Sequence, residues 1–390
     1  VDFGFTPEQE ALKKEVTEWC EQVMTPERIA KIESQGELMN AHDPELYEDM
    51  GKKGWLGLQW PKEYGGSGFG HLEMGIFNEV VGYYRVPMAG YGLTVNIVGN
   101  SIITYGSEKL KKEFLPRIAS GEILFCQGFS EPNSGSDLAS LQTRAVQDGD
   151  EYVINGQKIF TTNAHFSDYV FLATRTDPNV PKHKGLSIFL VDMKSPGLSV
   201  RPLYTLGGGR VNETFFEDVR VSADYMLGEK NRGWYHMTTT LDFERSGLTT
   251  IGACRRALED ILNYAKNVKI NGKSLTSDPL IRQKLARLET ELCMSRLLSY
   301  RVASMQHRGI IPNHEASMCK AYGGELAQRI AHVGTQIMGL YGQLQMGSKY
   351  APAQGRIEAM FRQTVAHTIA GGTNEVQRLI ISGRGLGLPR

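Results

Sequence analysis

Ile281, Leu285, Leu288 and Leu292 recur at three- and four-residue spacing behind Asp278-Pro279, which predicts a capped amphipathic helix running to about Gly309. Helical signals also open the chain. Thr6-Pro7-Glu8-Gln9 supplies an N-cap, a proline at the first helical position and a capping-box glutamine, and Asp43-Pro44 repeats the cap and proline. Between about Ile123 and Trp234 the pattern changes to β-branched and aromatic runs: Tyr152 to Ile154, Ile159 to Thr161, Tyr169 to Ala173, Leu186 to Val191 and Thr214 to Val221. Asn155-Gly156 between the first two runs reads as a hairpin turn. The predicted organisation is helical (1–121), then β (122–233), then helical again (234–390), with short junctions near Gly121 and Gly233.

Composition narrows the function classes. The 390 residues include 43 Lys plus Arg and 43 Asp plus Glu, so no net field draws nucleic acid or an anionic membrane, and anion binding has to be local. Five scattered cysteines without a C-x-x-C pair argue against a disulfide scaffold and a zinc site. The histidines form no H-x-x-x-H pair, and no metal is expected. No stretch approaches the roughly 18 apolar residues of a membrane span, so a soluble protein is expected, in a bacterial cytoplasm or, alternatively, a mitochondrial matrix.

Two glycine-rich stretches do not carry nucleotide chemistry. Gly66-Ser67-Gly68-Phe69-Gly70 follows a Trp-Pro segment and lacks G-x-G-x-x-G spacing. Gly272-Lys273-Ser274 ends like a phosphate-binding loop, but Asn267 stands where its first glycine belongs, and it reads as a solvated loop between helices.

Gly128-Phe129-Ser130-Glu131-Pro132-Asn133-Ser134-Gly135-Ser136-Asp137 packs hydroxyls and small residues into a turn able to present backbone N–H groups to a polar ligand. Further segments are Trp60 to Gly66, Asn155-Gly156-Gln157-Lys158-Ile159-Phe160-Thr161-Thr162-Asn163, Phe216 to Val221 and Gly371-Gly372-Thr373-Asn374-Glu375-Val376-Gln377-Arg378. In this order they resemble the signatures of the acyl-CoA dehydrogenase family from Phe3 to Arg390.

That resemblance implies an α+β multidomain fold: an N-terminal helical domain, a middle β-barrel-like domain and a C-terminal four-helix bundle, with FAD between domains and subunits. Gln127, Phe129, Ser130, Phe160 and Thr162 correspond to flavin contacts, and Ser136 to a residue near the thioester. Gln336 and Gly339 fall in the motif that binds the FAD of a neighbouring subunit, and Thr373 and Glu375 join the cofactor-binding set. The implied reaction is α,β-dehydrogenation of an acyl-CoA, with electrons passed to an electron-transfer flavoprotein, in a homotetramer or a mixed tetramer.

The chemistry needs a carboxylate beside the substrate Cα. Many members place it immediately before the final Gly-Thr, where this chain has Gly371. The alternative family position, used by isovaleryl- and long-chain-type relatives, is Glu244, with Asp242 and Arg245 matching residues that contact CoA. Two departures concern the cofactor: Leu340 replaces a small residue in the pyrophosphate turn, and Val268 replaces an arginine that holds the diphosphate, leaving Lys269 or the Gln336–Thr373 pair for that role. They favour a flavin-poor partner subunit as the competing reading, whereas Glu244 and the flavin-proximal set oppose it. An acyl-CoA oxidase is a further alternative, disfavoured by length. Met88 to Gly99 lines the far acyl pocket in the family, and the absence of charge from Met88 to Ile103, with Gly90, Gly92 and Gly99, predicts an uncharged, bulky or branched tail.

Overall fold

The computed structural model describes residues 4–35, 41–243 and 247–389, the side chains of Ala89 and 239–243 excepted. Among the described residues, the first third forms seven α-helices: α1 (Pro7–Val23), α2 (Pro26–Ser34), α3 (Pro44–Lys52), α4 (His71–Tyr83), α5 (Ala89–Leu93), α6 (Asn100–Tyr105) and α7 (Glu108–Ala119). The predicted caps act differently. The Thr6 hydroxyl accepts the Gln9 N–H at 3.2 Å while the Gln9 side chain accepts the Thr6 N–H at 3.1 Å, a complete capping box. Asp43 makes no such bond at α3; buried, it faces Arg28 at 3.6 Å instead.

A π-type turn over Thr94–Gly99 joins α5 to α6. Thr94 bonds the Gly90 carbonyl at 2.9 Å and accepts the Phe125 N–H at 3.0 Å, which ties this helical segment to the β-domain. The glycines here differ in purpose. A Cβ on Gly99 would lie 2.0 Å from the Trp60 ring and one on Gly90 3.1 Å from Asn163, so those two admit protein neighbours; Gly92 has no described atom within 4 Å.

The middle region holds β1 (Phe125–Gly128), β2 (Arg144–Asp148), β3 (Glu151–Lys158), β4 (Tyr169–Arg175), β5 (Leu186–Asp192), β6 (Leu198–Tyr204) and β7 (Arg210–Ser222). They form one curled sheet, a half-barrel in the order β1-β4-β2-β3-β7-β6, with β5 also on β4. Pro202, which lacks a ladder donor, lies in the edge strand β6.

The expected Asn155-Gly156 turn is corrected: both residues lie inside β3, which pairs along its length with β7. The turn comes earlier, at Gly149 (φ 62°), between β2 and β3. A Cβ on Gly156 would sit 2.5 Å from Thr143 Oγ1, and the ladder shifts register between Ile154 and Gly156, so this glycine serves a bulge and a close backbone approach.

The last third contains α8 (Gly233–Phe243), α9 (Leu248–Asn267), the short strands β8 (Lys269–Ile270) and β9 (Lys273–Ser274), α10 (Pro279–His307), α11 (His314–Met338), α12 (Arg356–Gln363) and α13 (Asn374–Ile380). The Asp278 carboxylate caps α10 through the Leu280 N–H at 2.8 Å. The solvated loop expected at Gly272-Lys273-Ser274 is a small hairpin turning at Asn271 (φ 51°) and Gly272 (φ 78°). The long helices α9, α10 and α11 pack on one another, with α13 alongside α11, and α4 packs across α9 and α10. No described helix is long and apolar enough to cross a membrane.

Candidate functional site

Two loops of the β-domain carry most of the positions expected to contact flavin, and a buried network joins them. Lys158, at the end of β3 and 0% exposed, donates from Nζ to Glu131 Oε1 at 2.8 Å and to the Phe129 carbonyl at 3.1 Å. Glu131 also accepts the Gln142 N–H at 2.6 Å and the Thr143 N–H at 2.8 Å. The Ile159 N–H reaches the Ser130 carbonyl at 2.9 Å. Phe129 and Ser130 are thereby fixed against the start of the Phe160 loop.

Burial alone would raise Glu131, but Lys158 and the two N–H donors override it and hold the carboxyl below its ordinary 4.5. Burial pulls Lys158 down to about 8, against the attraction of Glu131.

The Phe160 loop is held in an unusual shape. Phe160 (φ 59°) and Asn163 (φ 65°) adopt left-handed backbone, which costs a non-glycine residue about 1–2 kcal/mol. Buried Asn212 clamps the turn: its carbonyl accepts the Thr161 N–H at 2.9 Å, and its side chain donates to the Thr161 carbonyl at 2.9 Å. Burial, then the Arg210 charge, pulls neighbouring His165 down to about 4, so it is neutral at pH 7.

This cradle fits a planar, partly polar group. The Phe160 ring is 60% exposed, and the buried Gln127 Nε2 and Asn163 Oδ1 have no hydrogen-bond partner among the described residues. Unsatisfied polar atoms on β1 and in the turn that carries an exposed aromatic ring are groups that a bound flavin would complete. Thr162 is half-buried in the same loop. Ser136 is exposed farther along the first loop, which is stapled by the Lys182–Asp137 ion pair at 2.6 Å.

The remaining cofactor positions divide into two places. Gln336 and Gly339 are exposed at the end of α11, where Gln336 bonds Lys284 and His332. Thr373, the N-cap of α13, and Glu375 lie by the middle of α11, where Asn374 and Arg378 bond Lys320 and Glu325. Glu325 precedes Gln336 by about 16 Å of helix rise, so one chain does not bring the two sets together. Val268 packs against the bundle interior, Lys269 is exposed in β8, and Leu340 is 82% exposed.

A cavity of about 740 Å³ lies between the N-terminal helices and the bundle. Met88, Gly92, Leu93 and Asn96 of the predicted acyl-pocket segment line it, opposite Leu248, Thr249 and Ala257 of α9. Gly247 lies at its wall, three residues after Glu244; Glu244 and Arg245 are outside the described residues, and Asp242 is placed only as backbone in α8. Gly371 (φ 66°) is exposed, and a Cβ there would have no described atom within 4 Å. His367 also lines the cavity, kept below its ordinary range by burial and then by Lys320.

Sequence reading missed Lys158, Asn212 and the cavity arginines Arg85, Arg256 and Arg356. Lys158 left one trace, a lysine on the inward side of β3 with Tyr152 and Ile154. The arginines left none, because they converge from three separate segments.

Comparison with known proteins agrees with this architecture. Family descriptions match in order: acyl-CoA dehydrogenase N-terminal domain at residues 6–122, middle domain at 126–219 and C-terminal domain at 231–386. The acyl-CoA dehydrogenase FadE26 of Mycobacterium tuberculosis is 38% identical, over 99% of this chain and 98% of its own. The solved Tcur3481-Tcur3483 steroid ACAD superposes with a TM-score of 0.92 at 36% identity, and the ChsE4-ChsE5 complex from Mycobacterium tuberculosis with 0.92 at 38%, each covering 100% of both chains. The chain therefore belongs to the acyl-CoA dehydrogenase family, FAD-dependent oxidoreductases that act on CH–CH groups and are typically tetrameric.

Proposed function

We propose that this chain dehydrogenates, between Cα and Cβ, an acyl-CoA whose tail is bulky, multi-ring and largely apolar, and passes the electrons to an electron-transfer flavoprotein. The supporting observation is the cavity of about 740 Å³, which follows α9 from Leu248 to Ala257 beside open Gly92. Its size is in the upper part of the range for small-molecule sites, more than a short acyl chain fills. The steroid ACAD among the similar structures points to the same class of tail.

Bound FAD supplies the acceptor for the hydride that leaves Cβ. Gln127, Phe129, Ser130, Phe160 and Thr162 hold and orient it, and the Lys158–Glu131 network keeps their two loops in register. Glu244 takes the α-proton. The backbone on either side of it brackets the role: α8 ends at Phe243, and Gly247 lines the cavity. Gly371, which has no side chain, cannot serve. Asp242, Arg245 and Ser136 hold the CoA portion. Gln336 and Gly339, exposed at one end of α11, and Thr373 and Glu375, by its middle, contribute to FAD across subunits of a tetramer with a related partner chain.

A second reading, a partner subunit without its own flavin, draws on Val268 facing the bundle interior where a diphosphate-holding arginine would be needed. The visible spectrum of the purified chain, alone and co-expressed with a candidate partner, separates the two. The substrate reading is tested by comparing kcat/KM for a CoA thioester of a steroid side-chain acid with octanoyl-CoA and glutaryl-CoA. Preference for the ring-bearing thioester supports it; preference for glutaryl-CoA sinks it.

A further inference from the structure

The cavity is not apolar throughout. Arg85, Arg256 and Arg356 line it together with Glu33. Arg85 follows α4, Arg256 belongs to α9 and Arg356 opens α12, so three separate segments bring guanidinium groups to one region. Arg85 Nη2 donates to Asp260 Oδ2 at 2.7 Å, and Arg256 Nε reaches the other oxygen of the same carboxylate at 3.3 Å. Arg356 pairs with Glu33 at 2.7 Å.

This region lies well along α9 from Gly247, where the helix meets the cavity. Arg256 and Asp260 follow Gly247 by nine and thirteen residues on the helix that borders the cavity, which is about 14 and 20 Å of rise. Only a long or multi-ring tail spans such a distance. Arg85 also holds left-handed backbone (φ 57°), so an arginine is kept where glycine would be unstrained.

We infer that Arg85, Arg256 and Arg356 form a donor subsite at the far end of the acyl cavity, which binds a neutral acceptor oxygen, a carbonyl or hydroxyl, on the distal ring of the substrate. The inference rests on the proposed reading of the cavity as the acyl pocket. Charge selects a neutral oxygen over a carboxylate. Asp260 and Glu33 already offset the arginines, while Glu21 and Glu259, which accept the Tyr84 and Tyr83 hydroxyls at 2.8 and 2.6 Å, add further negative charge nearby. Donors nevertheless remain. A guanidinium carries five N–H groups, and the bonds from Arg85 and Arg256 to Asp260 use one each. Burial, together with the neighbouring Arg356 and Arg256 charges, lowers the Arg85 pKa against its bond to Asp260, consistent with guanidinium groups crowded at a partly dry site.

The test uses the holoenzyme, with its partner subunit if one is required, and two CoA thioesters that share a four-ring tail and differ only in a ketone on the distal ring. The parent should favour the ketone by about 10-fold or more in kcat/KM, chiefly through KM. Arg85→Lys, which can retain the Asp260 pair, and Arg356→Gln should each pull that ratio toward one. The ratio is internal to each preparation and does not depend on the fraction folded. If the parent treats the two thioesters within twofold, or both variants keep the full preference, the inference is overturned while the bulky-tail reading stands. If octanoyl-CoA is turned over and neither ring-bearing thioester is, the reading of the cavity fails and the subsite with it.

Discussion

The β-domain loops proposed to face the flavin and the cavity between the helical regions proposed to take the acyl tail are built on opposite principles. The loops hold left-handed residues at Phe160 and Asn163, a lysine with no exposure and a clamp at Asn212 that satisfies both the backbone N–H and the carbonyl of Thr161. The cavity is bounded by helices with ordinary backbone along most of its wall, a glycine left open at Gly92 and ion pairs at its far end. The proposed flavin chemistry requires one geometry, and a buried polar network suits it because each broken contact is expensive in a low dielectric. Tail recognition requires volume, which helix packing with small residues provides while tolerating change.

Removing Lys158 should break this comparison most severely. Lys158→Met leaves Glu131 buried without its cation, which costs about 3–5 kcal/mol. We expect a large fall in thermal stability and loss of flavin, read by calorimetry and the visible spectrum. Retention of both would show that the loops do not depend on the pair.

Glu244→Gln should come next, on the chemistry and not the scaffold. Flavin and acyl-CoA still bind, while anaerobic single-turnover bleaching slows about 10²-fold or more. An unchanged bleaching rate would move the base elsewhere. Adding Gly371→Glu to that variant tests convergence on the same α-proton. No described side chain obstructs the position, but its φ of 66° strains any L-residue by about 1–2 kcal/mol, so only partial recovery is expected.

Two glycines in one helical segment sharpen the contrast. Gly92→Leu should fill open volume and reduce kcat/KM for a ring-bearing tail by about 10-fold while sparing octanoyl-CoA. Gly99→Ala drives a Cβ into the Trp60 ring and should instead lower stability by about 1–3 kcal/mol, with no selective effect on long tails. Equal behaviour of the two variants would remove the distinction between cavity and packing glycines.

The smallest expected effect is on the acid side. Glu131 sits below its ordinary 4.5 when folded, so its stabilising contribution is complete above that value and is lost as pH falls through the lower folded pKa. Melting temperature measured from pH 6 downward should fall less steeply in Glu131→Gln than in the parent, starting from a lower plateau. Parallel curves would argue against the carboxylate's role.

Local interactions made much of the architecture readable in advance. The capping box at Thr6 and Gln9, the Asp278 cap of α10 and the runs that became β4, β5 and β7 each concern neighbours in sequence, where spacing and residue type decide. The family signatures point to the proposed flavin-contact and base positions for the same reason, since each is carried by a short contiguous segment.

Where the outcome depended on a distant neighbour, local rules misled. Asn155-Gly156 reads as a turn, yet pairing with β7 and the close approach of Thr143 keep it in a strand, while Asn271-Gly272 is the one of the two that turns a hairpin. Gly90, Gly92 and Gly99 look alike in sequence and differ only because Asn163, open space and Trp60 stand opposite them. By itself the sequence determined the order α, β, α, the principal helix caps and the candidate chemistry of Glu244. Tertiary structure decided the Lys158–Glu131 bond, the size of the cavity and the convergence of Arg85, Arg256 and Arg356. Those features arise from long-range packing and desolvation, whose energies depend on which segments meet and not on which residues adjoin in the chain.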